Sequence, residues 1–455
     1  MKVLLFGTGD YYNRYKIWFE QEEVLGLIDN SASKQGTIID GHPVYSPTEA
    51  LKLDYDAIFV LSFYIKEMKK QLVDLGAPAE KIYHFFDIHS IFYRDSIKKE
   101  IHWYGKRPEK KQVAMLNMDL LLGGPALALF HAAMVFKNHG YEVTYASPLD
   151  GPLRQTLEEN GITVIVDPNL MVQTMSECQW VQDYSLIICN AINYHVFLSE
   201  RDESIPTIWW LHDAMFFYEG ANREALSKIS TDNLKVWAVG PVAEKAILTY
   251  RPDFKVSDLI YGVEDTVEHV EKEEDSSGKV NFVTIGYVEN RKGQDILIEA
   301  IKKLPAEIRE KASFKIVGNN TSLMAKKLME ECENIPEIEF LGLVDRKEVN
   351  RILAESDILI CPSREDPMPT VCAEAMMHGL PCIVSDSAGT VKYIHDGVDG
   401  ITFASEDIEN LEEKIIWAID NKDKVMEMEK ASRSLYETTF SMKVFEENIL
   451  GLIKQ

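Results

Sequence analysis

Asp366 and Glu374 lie eight positions apart in the stretch Cys361-Pro-Ser-Arg-Glu-Asp-Pro-Met-Pro-Thr-Val-Cys-Ala-Glu-Ala-Met-Met-His-Gly379. The first carboxylate falls at a proline-rich turn and the second about one turn into the helix expected to start near Thr370, so both can face one pocket. Carboxylates accept hydrogen bonds from sugar hydroxyls. The first N–H groups of that helix, on Thr370 and Val371, have no intrahelical carbonyl to bond, and with the helix dipole they suit a diphosphate. Pro367 and Pro369 have no N–H, which leaves Met368 as the donor between them. The bland alternative is a helix-start acid followed by a solvated helix carboxylate.

Other residues extend this chemistry. Arg291 and Lys292 follow the strand-like Phe282–Ile285 and can neutralise phosphate, although Lys292 on a loop is also an ordinary surface charge. In Asp119-Leu-Leu-Gly-Gly-Pro-Ala, Gly123 and Gly124 form a glycine turn and Pro125 suits a first helical position. His212 ends the apolar strand Ile208–Leu211. Its other reading is a core histidine bonded to a carbonyl, with Asp213 as a helix cap. Near the start, Phe6-Gly-Thr-Gly-Asp-Tyr-Tyr12 follows a strand, and Asp29 ends the next. This resembles a dinucleotide fingerprint in which Asp29 would meet a ribose, except that Tyr12 occupies the third glycine position. The plain alternative is a tight turn at Gly7 and Gly9 with no ligand. No metal-ligand spacing is evident, so no divalent ion is expected.

These residues need rigid elements to hold them. The chain of 455 residues is too long for one ordinary domain. Apolar strands alternate with helix-length intervals in three successive series, the rhythm of parallel sheets. The expected domains are a small Rossmann-like module over 1–108, a doubly wound domain over 109–275 and a second over 276–440, with a terminal helix in 441–455 packing back on the middle domain. Glu271–Ser277 is acidic and suits an exposed connection. Ser90–Lys111 mixes aromatics with Lys and Arg and reads as a domain-joining helix, with peripheral contact to an anionic membrane as the alternative.

Composition removes several classes. A formal charge of -25 argues against a nucleic-acid partner. No run reaches the length of a membrane span and the N-terminus enters a strand directly, so a cytoplasmic protein is expected, at most at the inner face of the membrane. The six cysteines form no C-x-x-C pair and read as buried thiols of a reducing compartment.

The ordered set of motifs resembles family 4 glycosyltransferases. Asp366 and Glu374 stand in its E-x(7)-E signature, with Asp in place of the first Glu and Glu365 one residue out of register. Similar pieces are Gly286-Tyr-Val-Glu-Asn-Arg-Lys-Gly293, Ile316-Val-Gly-Asn319 and Phe340-Leu-Gly-Leu-Val-Asp-Arg346. The resemblance covers roughly residues 112–455 and implies a retaining enzyme with the GT-B fold. It implies that Asp366 contacts the donor sugar, Glu374 the ribose hydroxyls and His212 the donor sugar; these three are the candidate catalytic residues. Gly123, Gly124, Arg291, Lys292, Arg346, Met368, Thr370 and Val371, with Glu374, form the implied donor-binding set. Lys292 matches a family cation, whereas Tyr287 stands where an Arg is usual. The implied donor is a nucleotide sugar, with a UDP-sugar preferred, and the transferred unit a hexosyl or N-acetylhexosaminyl group. The acceptor would be a glycan, lipid-linked or protein molecule, in bacterial cell-surface polysaccharide or glycoconjugate synthesis. The amino-terminal module looks like small nucleotide-binding-like domains attached to bacterial sugar-modifying enzymes. Two rivals remain: a non-catalytic GT-B partner or glycan-binding subunit, and a nicotinamide oxidoreductase centred on Gly7 and Gly9.

Overall fold

The central strands of each sheet, such as Ala57–Val60, Val113–Leu116 and Ile358–Cys361, are short apolar runs buried on both faces, the mark of parallel strands covered by helices. The computed structural model describes residues 1–92, 98–267 and 278–454. The acidic connection expected over Glu271–Ser277 lies outside the described residues, as does part of the Ser90–Lys111 stretch, residues 93–97. The chain divides into two units, Met1–Val236 with Ala246–Lys255, and Trp237–Lys245 with Val256–Gln455.

The first unit holds two sheets. The amino-terminal one runs Ile38–Ile39, His42–Tyr45, Glu23–Ile28, Lys2–Phe6, Ala57–Val60, Ile82–His84, and is parallel except for its first pair. Its alternating side chains feed two cores. Leu4, Phe6, Ile58 and Val60 face one way with Leu72, while Val3, Leu5 and Phe59 face the other with Tyr12, Tyr15 and Trp18. Tyr12 therefore fills the third glycine position as a core residue, its hydroxyl donating to Asp40 Oδ2 at 3.1 Å. Met171 and Val172 belong to the same core, so the amino-terminal module and the second sheet share packing.

From Leu234–Ala238 onward, the second sheet runs Thr207–Leu211, Leu186–Asn190, Val113–Leu116, Val143–Ser147, Thr163–Val166, His102–Tyr104. The last of these corrects an expectation. His102–Tyr104 is an antiparallel edge strand against Thr163–Val166 rather than part of a joining helix. Its aromatics favour strand pairing, and they are used there: Trp103 meets Trp180, and Arg154 lies over Tyr104. Val113–Leu116 has neighbours that follow it in sequence on both sides, which makes its carboxyl end a switch point of the sheet.

The second unit is built on an all-parallel sheet, Ile338–Gly342, Ala312–Val317, Val280–Ile285, Ile358–Cys361, Cys382–Ser385, Gly400–Phe403. Its switch point lies at the carboxyl ends of Val280–Ile285 and Ile358–Cys361. The helix Met442–Lys454 follows Phe440, whose carbonyl accepts from the Val263 N–H at 2.8 Å. All six cysteines are buried and free.

The first unit carries buried titratable groups that make its stability depend on pH. Burial pushes His84 down to about 3 and His195 to about 4. Nε2 of His195 accepts from the Asn222 N–H at 2.9 Å, a bond that protonation would remove. Unfolded histidine titrates near about 6.5. Between about pH 6.5 and 4 the unfolded chain therefore binds more protons than the folded one, and stability falls as pH falls. His212, pushed down to about 3 by burial, adds to this. Asp213 opposes it. Burial raises Asp213 to about 7, so its contribution is present at low pH and is lost as pH rises toward 7. With the histidines outweighing the aspartate, the expected result is a lower melting temperature at pH 4.5 than at pH 6.5, and a smaller drop in His195→Gln, read by calorimetry.

Candidate functional site

At the switch point of the second unit, the chain leaves Ile285 through Gly286 and forms a loop ending in the single turn Asn290–Lys292. Gly293 then has φ +70°, and a Cβ there would lie 2.0 Å from the Pro362 carbonyl oxygen. Only glycine lets the Lys292 loop come this close to the strand end that carries Asp366. Arg364 clamps the same approach. Its guanidinium bonds Asp295 through both oxygens at 2.8 and 2.7 Å, and its N–H donates to the Arg291 carbonyl at 2.9 Å.

This arrangement brings Lys292 Nζ to 2.6 Å from Asp366 Oδ2, with Arg291 Nη1 at 3.7 Å from the same oxygen. Desolvation works against the Lys292 ammonium, yet the Asp366 carboxylate outweighs it and holds the lysine above its ordinary pKa. Arg291 is also tied locally, to the Glu365 carbonyl at 3.1 Å and to Glu289 Oε1 at 2.9 Å. Asp366 is pinned through its backbone: its N–H donates to Ser387 and its carbonyl accepts from Gly389. Tyr287 is 63% exposed.

The helix begins at Thr370 and runs to Met377, with Pro369 as its N-cap and no side-chain cap. Thr370 and Val371 thus sit in the first turn, where backbone donors have no intrahelical acceptor. Met368 is buried, and its carbonyl accepts from the Tyr261 hydroxyl at 2.7 Å. Glu374, one turn further, receives Arg346 Nη1 on Oε1 at 2.8 Å. The two carboxylates therefore have separate cations, Lys292 for Asp366 and Arg346 for Glu374.

Tyr261 is the residue that sequence reasoning missed. Its hydroxyl is driven far above its usual acidity range first by burial and then by Asp366, Cys372 and Glu374, so both carboxylates lie near it. Its only signal was a tyrosine just beyond an apolar strand. Arg364 was missed too, because nothing local names its partner Asp295.

The remaining candidates lie in the first unit. Gly123 is the N-cap of the helix Gly124–Asn138, again without a side-chain cap, and Pro125 sits in its first turn as expected. His212 follows the strand Thr207–Leu211. Its ring packs on Trp210 with centroids 4.6 Å apart, and its Nε2 is buried with no hydrogen-bond partner among the described residues. Asp213 Oδ2 accepts from the Ile192 N–H at 2.7 Å, tying two strand ends together. In the amino-terminal module, Asp29 is engaged by the Thr8 hydroxyl, by Lys34 Nζ at 3.2 Å and by the Ser31 N–H at 2.8 Å.

Among the described residues no group of three or more His, Cys, Asp or Glu side chains could hold a metal ion, and no helix is long and apolar enough to cross a membrane.

Comparison with known proteins follows the same division. Residues 265–435 match the family model of glycosyl transferases group 1, and residues 1–83 match the model described as C2185-like, N-terminal. An uncharacterized 41.2 kDa protein in the cps region of Klebsiella pneumoniae is 32% identical over 28% of this chain and 34% of its own length. The uncharacterized glycosyltransferase MJ1178 of Methanocaldococcus jannaschii is 28% identical over 32% of this chain and 41% of its own length. The chain thus spans well under half of the length of these curated relatives. Among solved structures, Anabaena Alr3699/HepE in complex with UDP and glucose is 18% identical with a TM-score of 0.62, over 76% of this chain and 100% of that one. This likeness is one of fold. The chain has the GT-B fold of two Rossmann-like domains, preceded by a distinct small α/β domain, and the match to glycosyl transferases group 1 falls on 265–435.

Proposed function

We propose that this protein is a retaining glycosyltransferase of family 4 that moves a hexosyl or N-acetylhexosaminyl unit from a UDP-sugar to a glycan, lipid-linked or protein acceptor in bacterial cell-surface glycan synthesis. The observation that carries the reading is the Lys292–Asp366 pair beside the uncapped helix start at Thr370, at a sheet switch point. The match of 265–435 to glycosyl transferases group 1 and the UDP and glucose in the related HepE structure support it.

In this reading Lys292, Arg291 and the N–H groups of Met368, Thr370 and Val371 hold the diphosphate. As the bond from the anomeric carbon to the phosphate oxygen breaks, charge grows on the leaving diphosphate and these fixed donors stabilise it. Asp366 and His212 orient the sugar, Glu374 holds the ribose hydroxyls and Arg346 lies toward the base. The acceptor oxygen attacks the same face, forming the new glycosidic bond, and its proton passes to the departing phosphate oxygen, so no protein nucleophile is needed. Gly123 and Gly124 border phosphate and acceptor. The domains of this reading are 1–108, 109–275 as the acceptor side with the helix of 441–455, and 276–440 as the donor side. It places the protein in the cytoplasm.

The exposed Tyr287 in a cation position favours the second reading, a non-catalytic partner. Full-length protein incubated with UDP-glucose, UDP-galactose or UDP-N-acetylglucosamine separates the two by release of UDP. Turnover of at least one donor is expected, and release from none of them would sink the catalytic reading.

A further inference from the structure

We infer that the amino-terminal module is part of the transfer machinery, with Arg14 a positioning residue that holds the Asp119–Gly124 turn in its working geometry. The inference rests on the transferase reading above.

The short helix Asp10–Tyr15 places Tyr11 and Arg14 on one face, three residues apart. The Tyr11 ring is fixed by Phe63 at 5.0 Å and Phe85 at 5.1 Å, and the Arg14 guanidinium lies 5.5 Å from its centre. From this platform Arg14 Nη1 reaches Asp119 Oδ2 at 3.3 Å, and both side chains are about one-fifth exposed, at 22% and 21%. The other oxygen of Asp119 accepts from the Leu121 N–H at 3.1 Å. One carboxylate is therefore shared between the module and the turn.

The rest of that turn is anchored at its two ends. Asn190 Nδ2 donates to Asn117 Oδ1 at 2.8 Å and to the Pro125 carbonyl at 2.9 Å, and the Tyr194 hydroxyl donates to the Asn117 carbonyl at 2.8 Å. Asp119 is the middle, followed by exposed Leu121 and Leu122 and then by Gly123 and Gly124. The module also braces the segment after His212: Phe217 packs edge-on against Phe63 at 5.1 Å, and Phe216 against Tyr64 at 5.2 Å. Burial pushes the Tyr11 hydroxyl up to about 12, opposed by Arg14 and reinforced by Asp119 and Asp213, so both strand-end carboxylates lie near this one phenol. The module thus meets the segments that follow two strands of one sheet, Val113–Leu116 and Thr207–Leu211, which flank Leu186–Asn190, one through a charge and one through aromatic packing.

A partly exposed ion pair adds little to stability. A displacement of about 1 Å in a reacting arrangement costs about 10²-fold in rate. Loss of Arg14 should therefore appear in kcat rather than in Tm.

The test uses the full-length chain and whichever of the three UDP-sugars it turns over, with UDP release as the readout. Arg14→Ala is expected to lower kcat by about 10- to 100-fold with Tm within about 3 °C of the parent. Arg14→Lys should recover most of the loss, since a cation can still reach Asp119. Arg14→Ala combined with Asp119→Ala should be no slower than Asp119→Ala alone, because both remove one interaction. Should Arg14→Ala fail to fold, Arg14→Gln and Asp119→Asn carry the same comparison. An active parent whose kcat survives the loss of Arg14, or two losses that multiply in the double variant, overturns the role of Arg14 and leaves the transferase reading standing. A parent that releases no UDP overturns that reading and this role with it.

Discussion

Lys292→Ala is expected to lower kcat by about 10²- to 10³-fold at saturating donor, the effect of removing one preorganised donor from a developing anion. The size follows from the position of the ammonium. Lys292 Nζ is held 2.6 Å from Asp366, on a loop that Gly293 and Arg364 press against the neighbouring strand end, so its charge is fixed before substrate arrives. A fixed charge costs no reorganisation when the phosphate leaves. Arg291 approaches the same carboxylate at 3.7 Å, but its guanidinium is shared with Glu289 and the Glu365 carbonyl, which limits how far it can substitute. Asp366 is only 5% exposed, so losing its lysine also costs up to about 3 kcal/mol of stability. Steady-state UDP release at a temperature well below the variant's melting point separates the two effects. Full activity in Lys292→Ala would place the phosphate site elsewhere.

Glu374→Ala should act on binding more than on chemistry. A carboxylate that accepts hydrogen bonds from ribose hydroxyls contributes about 1.5–3 kcal/mol, so UDP affinity should weaken by about 10- to 100-fold while kcat changes less. Glu374 is 9% exposed, and Arg346 holds one of its oxygens at 2.8 Å, which leaves the other available to a ligand. Calorimetric titration with UDP measures the shift. Unchanged UDP affinity would remove Glu374 from the nucleotide site, and an equal loss in Arg346→Ala would show that the pair acts as a unit.

Much of this site is legible in the amino-acid sequence, because its parts are local. The helix start at Thr370, the Pro125 entry to the Gly124 helix and the strands before Gly286 and Asp119 all follow from short-range rules about proline, glycine and apolar runs. The expectation that fails is local as well. His102–Tyr104 reads with its charged neighbours as a joining helix, whereas pairing with Thr163–Val166 makes it a strand. Tertiary partners override weak propensity in short segments.

By itself the sequence determined the three series of strands, the turns that end them and the kinds of side chain those turns carry. Which charges meet was decided only by the tertiary structure. Lys292 and Asp366 are 74 positions apart and Arg14 and Asp119 are 105 apart. Such pairs form because strand order sets which loops are neighbours, and strand order depends on burying every sheet face at once rather than on any single segment. The same packing carried Tyr12 into a core and set Tyr11 and Arg14 of the amino-terminal module beside the turn at Asp119.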